Sequence, residues 1–431
     1  MATFKCTAAG DAMIFRRLPG AYEGFNELQD FIGKGDFRFV NLETTIHNFE
    51  TFGAAESGGS WFCSSPDVLQ DIKTFGFNIL TTANNHALDY AYDGLIKTME
   101  YIKAAGIPFS GTGRSLGEAG APAYLDTLQG RFALISINTS PKLSNMAGEQ
   151  TRTMPGRPGV NYVRCNTVYR VTQEEMDALK KIAKDTMINA AYDIERAEGY
   201  MPPIPEGKMV MGTNNYEVSD KPGKVTTVNE TDMKRIEATI REARFMADYV
   251  IISVHSHEIK GMSKEEPAMF YEELAHRCID AGANAIIGTG PHLIRPIEIY
   301  KNCPIFYSLG DFIIQLENLQ RAPSGMYEKQ GLTGNEGLDV MFNARSDFGK
   351  KGLYYERVMF EAFVPYWEAE DGKLTKLKLL PVELNFDAPK SHGGWPRPKR
   401  DARILERLAE MSKAYGTKIT IGEDGIGTVE L

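Results

Sequence analysis

The sequence predicts an α/β protein built on a layered, mostly parallel sheet. Two observations predict it. Short apolar runs alternate with helical patterns over the first third of the chain and again beyond residue 230, the rhythm that strand–helix–strand units produce. Those apolar runs also stop abruptly on Asp, Asn, Glu or His, and in open α/β sheets ligands sit beyond the carboxyl ends of the strands.

Taken in order, the first strand, Phe4–Ala9, ends at Gly10-Asp11. The second, Phe37–Val40, ends at Asn41-Leu42-Glu43, and the third, Phe77–Thr82, at Asn84-Asn85-His86. The fourth, Phe132–Ile137, ends at Asn138. Helices are predicted between them near 22–33, 66–75 and 91–105, the last stopped by Gly106. Residues 140–230 break the rhythm with Gly, Pro and Asn around one predicted amphipathic helix, 172–198. They read as an insertion over the crevice, a lid. Beyond it a helix near 230–245 leads to a strand, Tyr249–Val254, ending at His255-Ser256-His257-Glu258. A helix near 267–281 leads to Ala285–Ile287 and then "GTGPH", and Ile305–Ser308 leads to "LGDF". The tail is β-rich, then helical near 401–414, then a hairpin turning at Asp424-Gly425. The expected organisation is a core of 1–139 and 231–385, the insertion 140–230, and a helix-and-hairpin extension, 386–431.

Totals exclude several classes. A net charge of −9 over 431 residues, with no basic stripe bearing interleaved aromatics, argues against nucleic acid. Five dispersed cysteines without CxxC spacing (Cys6, Cys63, Cys165, Cys278, Cys303) read as buried thiols of a reducing compartment. The first residues lack the pattern of a signal peptide, and no apolar stretch reaches transmembrane length. A cytoplasmic protein without a membrane anchor is expected, and a homo-oligomer is compatible with the sequence.

The stretch "TTANNHALDYAYDG", residues 81–94, is by itself compatible with a polar turn. Its company changes the reading. Asp11, Asn41 with Glu43, Asn85 with His86, His255 with His257, and His292 all fall at predicted strand ends, where they would converge on one crevice. Asp, Glu, Asn and His form a mixed O/N ligand set suited to Mn²⁺, Fe²⁺ or Zn²⁺. Arg16 and Arg295 lie near the same ends, where a guanidinium could clamp an anionic substrate. Glu298 could hold Arg295 or a ligand histidine. Arg16, Asn41, Arg295 and Glu298 are thus the substrate-side candidates, with Ser308 and Asp311 as a far wall. His47 lies less surely at a strand end, His276 reads as structural, and His392 is uninformative.

Six motifs, "GDAMIFRR", "NLETTI", "ANNHALDYAYDGL", "VHSHE", "GPHLIRPIEIY" and "PIFYSLGDFI", occur in an order and spacing that resemble the CapA family. These are the poly-γ-glutamate capsule-synthesis proteins of the metallophosphatase (calcineurin-like) superfamily. The resemblance covers roughly residues 3–315. It implies a four-layer α/β/β/α sandwich with two divalent metal ions (Mn, Fe or Zn) at the strand ends. By motif, Asp11 resembles a ligand of the first metal, and Glu43 the bridging carboxylate, with Asn41 as its support or an alternative ligand. Asn85 resembles a ligand of the second metal, and His86 the histidine beside the leaving group. His255 and His292 complete the implied set. Asp89 either orients His86 or caps the following helix.

One position departs from the family pattern. Gly290 in "GTGPH" stands where many relatives carry the first histidine of "HPH". His257 is the expected replacement, because residues i and i+2 of an extended strand face the same way; the alternative is an ordinary polar strand end. The resemblance implies a soluble hydrolase acting on a phosphoester or a γ-glutamyl-type amide, with an anionic small molecule or a polyglutamate-like chain as substrate. The alternative is a non-catalytic polyglutamate-binding or capsule-assembly subunit.

Overall fold

The structure is a computed structural model and describes residues 2–316, 319–389 and 391–431. It is a mixed α/β fold with two large sheets. The first is ten-stranded and centred on Thr3–Met13. Phe37–Leu42, Ile79–Thr81 and Phe109–Ser110 continue it in parallel on one side. Asp311–Ile314 lies parallel against the carboxyl end of Thr3–Met13. On the other side Glu361–Glu370 runs antiparallel, followed by Lys373–Glu383 and the hairpin of Ile419–Ile421 and Gly427–Val429. The second sheet has six strands. Gly130–Asn138, Tyr249–His255, Ala285–Thr289 and Cys303–Phe306 are its parallel centre, with antiparallel edges Ala123–Thr127 and Ile297–Tyr300. The expected parallel order therefore holds at both centres and gives way to antiparallel edges.

Period-two alternation sends successive strand side chains to opposite faces. Phe4, Cys6 and Ala8 join Phe37 and Phe39 in a cluster with Phe132, Leu134, Tyr249, Ile251, Ala285 and Ile287 of the other sheet. The alternate residues Ala9, Val40 and Leu80 pack with Leu28, Phe31 and Ile32 of helix Phe25–Ile32 and with Val68, Leu69 and Ile72 of Val68–Thr74. On the second sheet, Ile135, Ile137, Val250 and Ile252 pack with Met233, Ile236 and Ile240 of Glu230–Met246 and with Phe270 and Leu274 of Met269–Asp280. Each fully buried large apolar side chain contributes about 1.5–3 kcal/mol, so these clusters hold the strand ends in place. All five cysteines are free, four of them buried.

Residues 140–230 depart from the sequence reading in two ways. The single helix expected over 172–198 is two, Gln173–Thr186 and Ala190–Ala197. The break falls at Met187, which adopts φ 54°, and a Thr172/Glu175 capping box starts the first helix. Four short strands, Cys165–Val171, Lys208–Met211, Asn214–Val218 and Gly223–Val228, also form a sheet of their own. Their polar, Gly-flanked sequences carry no apolar run long enough to announce them. A further covering segment comes from residues 319–346. Its Met326, Tyr327 and Met341 pack on Trp61 and Tyr90 beside the stretch read as "ANNHALDY".

Candidate metal centre

The first carboxylate is placed by close backbone approach. A Cβ on Gly10 would fall 1.7 Å from the Gly310 carbonyl oxygen, so only glycine lets Asp311–Ile314 lie against this strand end. The Asp11 amide donates to that carbonyl at 3.2 Å, and the pairing register shifts just after Asp11. Asp11 is fully buried. Its carboxylate accepts from Asn41 Nδ2 at 2.5 Å and from the Gly290 amide at 2.8 Å.

Four buried or half-buried groups face one another here. Asp11, Glu43, His292 and Asp311 place one ligand atom each within 4.8 Å of all the others, and so do Glu43, His257 and His292. Glu43 and His292 belong to both sets. Neither oxygen of buried Glu43 has a hydrogen-bond partner, and Asp311 Oδ2 has none either. Burial, then Asp11, Asp311 and Asp89, push the Glu43 carboxyl well above its usual range. Burial and then Asp311 raise Asp11 to about 7. Buried carboxylates with orphaned oxygens lack a positive charge. Divalent cations fit that requirement, and Asp, Glu and His are donors that Mn²⁺, Fe²⁺ and Zn²⁺ accept.

The histidines are aimed at the same place. His255 Nδ1 lies 2.9 Å from Thr289 Oγ1, while its Nε2 lies 2.8 Å from Asn85 Oδ1, 3.2 Å from His257 Nε2 and 3.6 Å from Glu43 Oε1. Burial first, then the neighbouring imidazoles, lower His255 and His257 well below the ordinary histidine value. Neutral imidazole is the form that binds a metal. His292 is different: burial pulls it down, but Asp311 and Asp11 outweigh this and leave it raised. It also sits at φ 58°, uncommon for a residue other than glycine.

Gly290 leaves no room for the family's missing histidine. At φ +113°, any Cβ would stand 2.9 Å from the Ser256 amide nitrogen. The glycine amide instead holds Asp11, and His257, two residues from His255, turns its ring to within 5.5 Å of the His292 ring.

His86 stands on the other wall. Its Nδ1 is 2.6 Å from Asp89 Oδ2, its ring stacks on Phe62 at 3.8 Å, and its Nε2 points toward Glu43 Oε1 at 4.0 Å. Asp89 also accepts from the Gly58 and Phe62 amides. The following helix, Ala91–Ala104, has no side-chain cap. Asp89 thus contacts His86 and does not cap the following helix.

Three sequence-predicted substrate groups lie elsewhere. Arg295 is fully buried, and its guanidinium donates to the carbonyls of Lys264, Ser256 and Glu258. It fastens the loop that carries His257, because each of its three nitrogens donates to a backbone carbonyl. Glu298 accepts from Tyr307 and pairs with His276, holding neither Arg295 nor a ligand histidine. Arg16 donates to the Ser391 carbonyl, on the C-terminal side of the fold. Asn41 does reach the centre, bridging Asp11 and Asn84. His47, less surely placed by sequence, packs on Tyr90 and contacts Cys63.

Two groups in the cluster escaped their role in the sequence. The sequence places Asp311 only at the far wall, although "SLGDF" repeats the Gly-Asp pair of "AAGDAM". Asn84 was read as part of a turn, yet it donates to Asn41 and to the Leu42 carbonyl, and its Oδ1 receives the His86 amide.

Residues 140–145 reach this region. Ser140 accepts from the His257 amide and donates to Glu258, and Asn145 donates to the Asn85 carbonyl. No helix among the described residues is long and apolar enough to cross a membrane.

Comparison with known proteins gives a consistent grouping. The profile of "Bacterial capsule synthesis protein PGA_cap" matches residues 5–316. An uncharacterized protein of Sinorhizobium fredii is 34% identical, covering 99% of this chain and 93% of its own length. The PGA biosynthesis protein CapA of Bacillus subtilis is 23% identical over 83% of this chain and 76% of its own. A probable polyglutamine synthesis accessory protein of Mycobacterium tuberculosis is 24% identical over 66% of this chain and 57% of its own.

Proposed function

The chain belongs to the PGA_cap family of bacterial capsule synthesis proteins, and from that premise we propose that it is a metal-dependent hydrolase with a two-metal centre. The observation that carries the reading is the orphaned buried carboxylate of Glu43, shared by both candidate ligand sets. Asp11, Glu43, His292 and Asp311 would hold one divalent ion. Glu43, His257 and His292, with His255 and Asn85 beside them, would hold the other. The packing clusters on both faces of each sheet support the four-layer α/β/β/α arrangement of the metallophosphatase superfamily. We read 1–139 and 231–385 as the core, 140–230 as the insertion and 386–431 as an extension whose hairpin completes the larger sheet.

Two such ions, when bound, lower the pKa of bound water and polarise a phosphoryl or carbonyl oxygen. The chain's own residues do the remainder. His86 donates a proton from Nε2 to the departing oxygen or nitrogen, and Asp89, fixed by two amides, holds the ring in that orientation. Asn84 and Asn41 hold the stretch carrying His86 against the strand end of Asp11. The substrate would be a phosphoester or a γ-glutamyl-type amide.

A second reading is a non-catalytic polyglutamate-binding or capsule-assembly subunit. It is favoured by the description of the mycobacterial relative as a probable polyglutamine synthesis accessory protein. Two measurements on protein purified without added metal separate the readings: elemental analysis, and a hydrolysis screen over phosphoesters and γ-glutamyl amides. The hydrolase reading expects about two ions per chain and turnover abolished by chelation. Bound metal with no turnover across the screen, together with polyglutamate binding, would favour the assembly subunit.

A further inference from the structure

A cavity of about 360 Å³ opens beside the loop that orients His86. Ser60 lines it, and Ser60 belongs to the turn whose Gly58 and Phe62 amides hold Asp89 and whose Phe62 ring stacks on His86. The neighbouring Gly59 stands close enough that a Cβ there would lie 3.9 Å from His86 Cε1. The other walls come from the covering segment, the strand end before it and residues just beyond the segment. Leu316, Leu319 and Phe342 are apolar, and Arg345, Lys351 and Asp339 are charged.

Arg345 is the informative wall residue. Its guanidinium donates to Ser60 Oγ, and among the described residues it has no carboxylate partner. Asp339 does not serve as one. It stands in the first turn of the helix Leu338–Ser346 and Arg345 in the last, about 9 Å apart along the axis. Arg345 is exposed as a residue, yet the packing around its guanidinium lowers it below the ordinary arginine value, and among the described residues no neighbouring charge offsets this. A guanidinium so placed is stabilised by an incoming oxyanion, which its planar fork can bind through two parallel hydrogen bonds.

We propose that this cavity is the leaving-group subsite of the hydrolase, that it takes an apolar stem ending in an oxyanion, and that Arg345 is its anchor. Position supports the assignment. The cavity lies on the side of His86, the residue proposed above to protonate the leaving group. The subsite rests on that reading, so its test must not depend on turnover.

The test is calorimetric titration of the full-length protein with 4-phenylbutyrate, 3-phenylpropylphosphonate and neutral 4-phenylbutanamide, each with and without EDTA. The anionic probes should bind at least about tenfold tighter than the amide, and EDTA should leave that difference unchanged. Arg345→Gln should erase it, and Arg345→Lys should restore part of it. Whichever anion binds more tightly names carboxylate or phosphate chemistry. Phe342→Trp, which fills the cavity and keeps the arginine, should block all three probes and provides a second variant should Arg345→Gln fail to fold. Equal binding of amide and anions, anion binding abolished by EDTA, or wild-type affinity in Arg345→Gln would overturn the subsite. A negative hydrolysis screen with Arg345-dependent binding intact would instead remove the hydrolase reading and leave an anion site.

Discussion

Asp11 and Asp311 stand opposite each other in register on two parallel strands, each directly after a glycine. Three hundred residues of chain separate them, yet both carboxylates face Glu43 and His292. Two buried acids at this distance repel unless a cation lies between them. The pairing therefore forms half of a candidate metal-ligand cluster that the fold assembles from two Gly-Asp pairs.

Asp311→Asn should accordingly lower bound metal as much as Asp11→Asn does, by about one ion per chain. Glu43→Gln, which touches both sets, should lower both ions while leaving the circular dichroism spectrum unchanged. Elemental analysis of the three variants checks this. Full metal stoichiometry in Asp311→Asn would return that residue to a structural wall.

His257 is expected to replace the histidine that Gly290 excludes. His257→Ala should lose about one ion per chain, and His276→Ala, whose ring is engaged with Glu298 and Tyr300, should lose none. Gly290→His should not rescue the loss, because its Cβ meets the Ser256 backbone. It should destabilise the fold by about 1–3 kcal/mol. Unchanged metal content in His257→Ala would mean that the second ion relies on other ligands.

Asp89→Asn keeps the shape of the His86 support but removes its charge. Turnover should fall about 10²–10⁴-fold with metal content and melting temperature little changed. Substrates with better leaving groups should be less affected, since they need less protonation. Equal losses across a leaving-group series would argue that Asp89 only shapes the turn.

The metal-free protein should lose stability as pH rises above about 6.5. Asp11, Glu43 and Asp311 are raised in the fold. The unfolded chain therefore releases those protons first, and stability falls as pH rises from about 4 towards 7 and above. His255 and His257 are lowered, so below about 6.5 the unfolded chain takes up protons on them first, which opposes the carboxylate trend there and flattens the profile. Saturating Mn²⁺ should restore the alkaline side, because the metal binds the deprotonated groups. Melting curves with EDTA and with Mn²⁺ from pH 5 to 8.5 give the answer; identical profiles would contradict the metal centre.

Arg295→Met should free the loop it fastens. Proteolysis between residues 257 and 266 should accelerate, and metal affinity should fall about 10–100-fold through His257. An unchanged cleavage pattern would mean that packing alone holds the loop.

Much of this was legible in the chain itself. Alternating apolar runs and helical patterns gave the centres of both sheets and, to within three residues, six of the helices, because those signals are local and periodic. Polar residues ending apolar runs gave Asp11, Glu43, Asn85, His86, His255, His257 and His292, since a strand end is visible in one dimension. Orientation was not. Whether Arg295 faces a crevice or three carbonyls depends on which loop folds over it, and Glu298 found Tyr307 and His276 rather than Arg295 for the same reason. The four strands of the insertion carry weak local signals and exist by pairing with one another. Asp311 joined the centre only because Gly10 lets its strand lie against the first one. The sequence by itself determined which residues stand at strand ends; register, close backbone approach and burial, which join positions hundreds of residues apart, decided which of them meet.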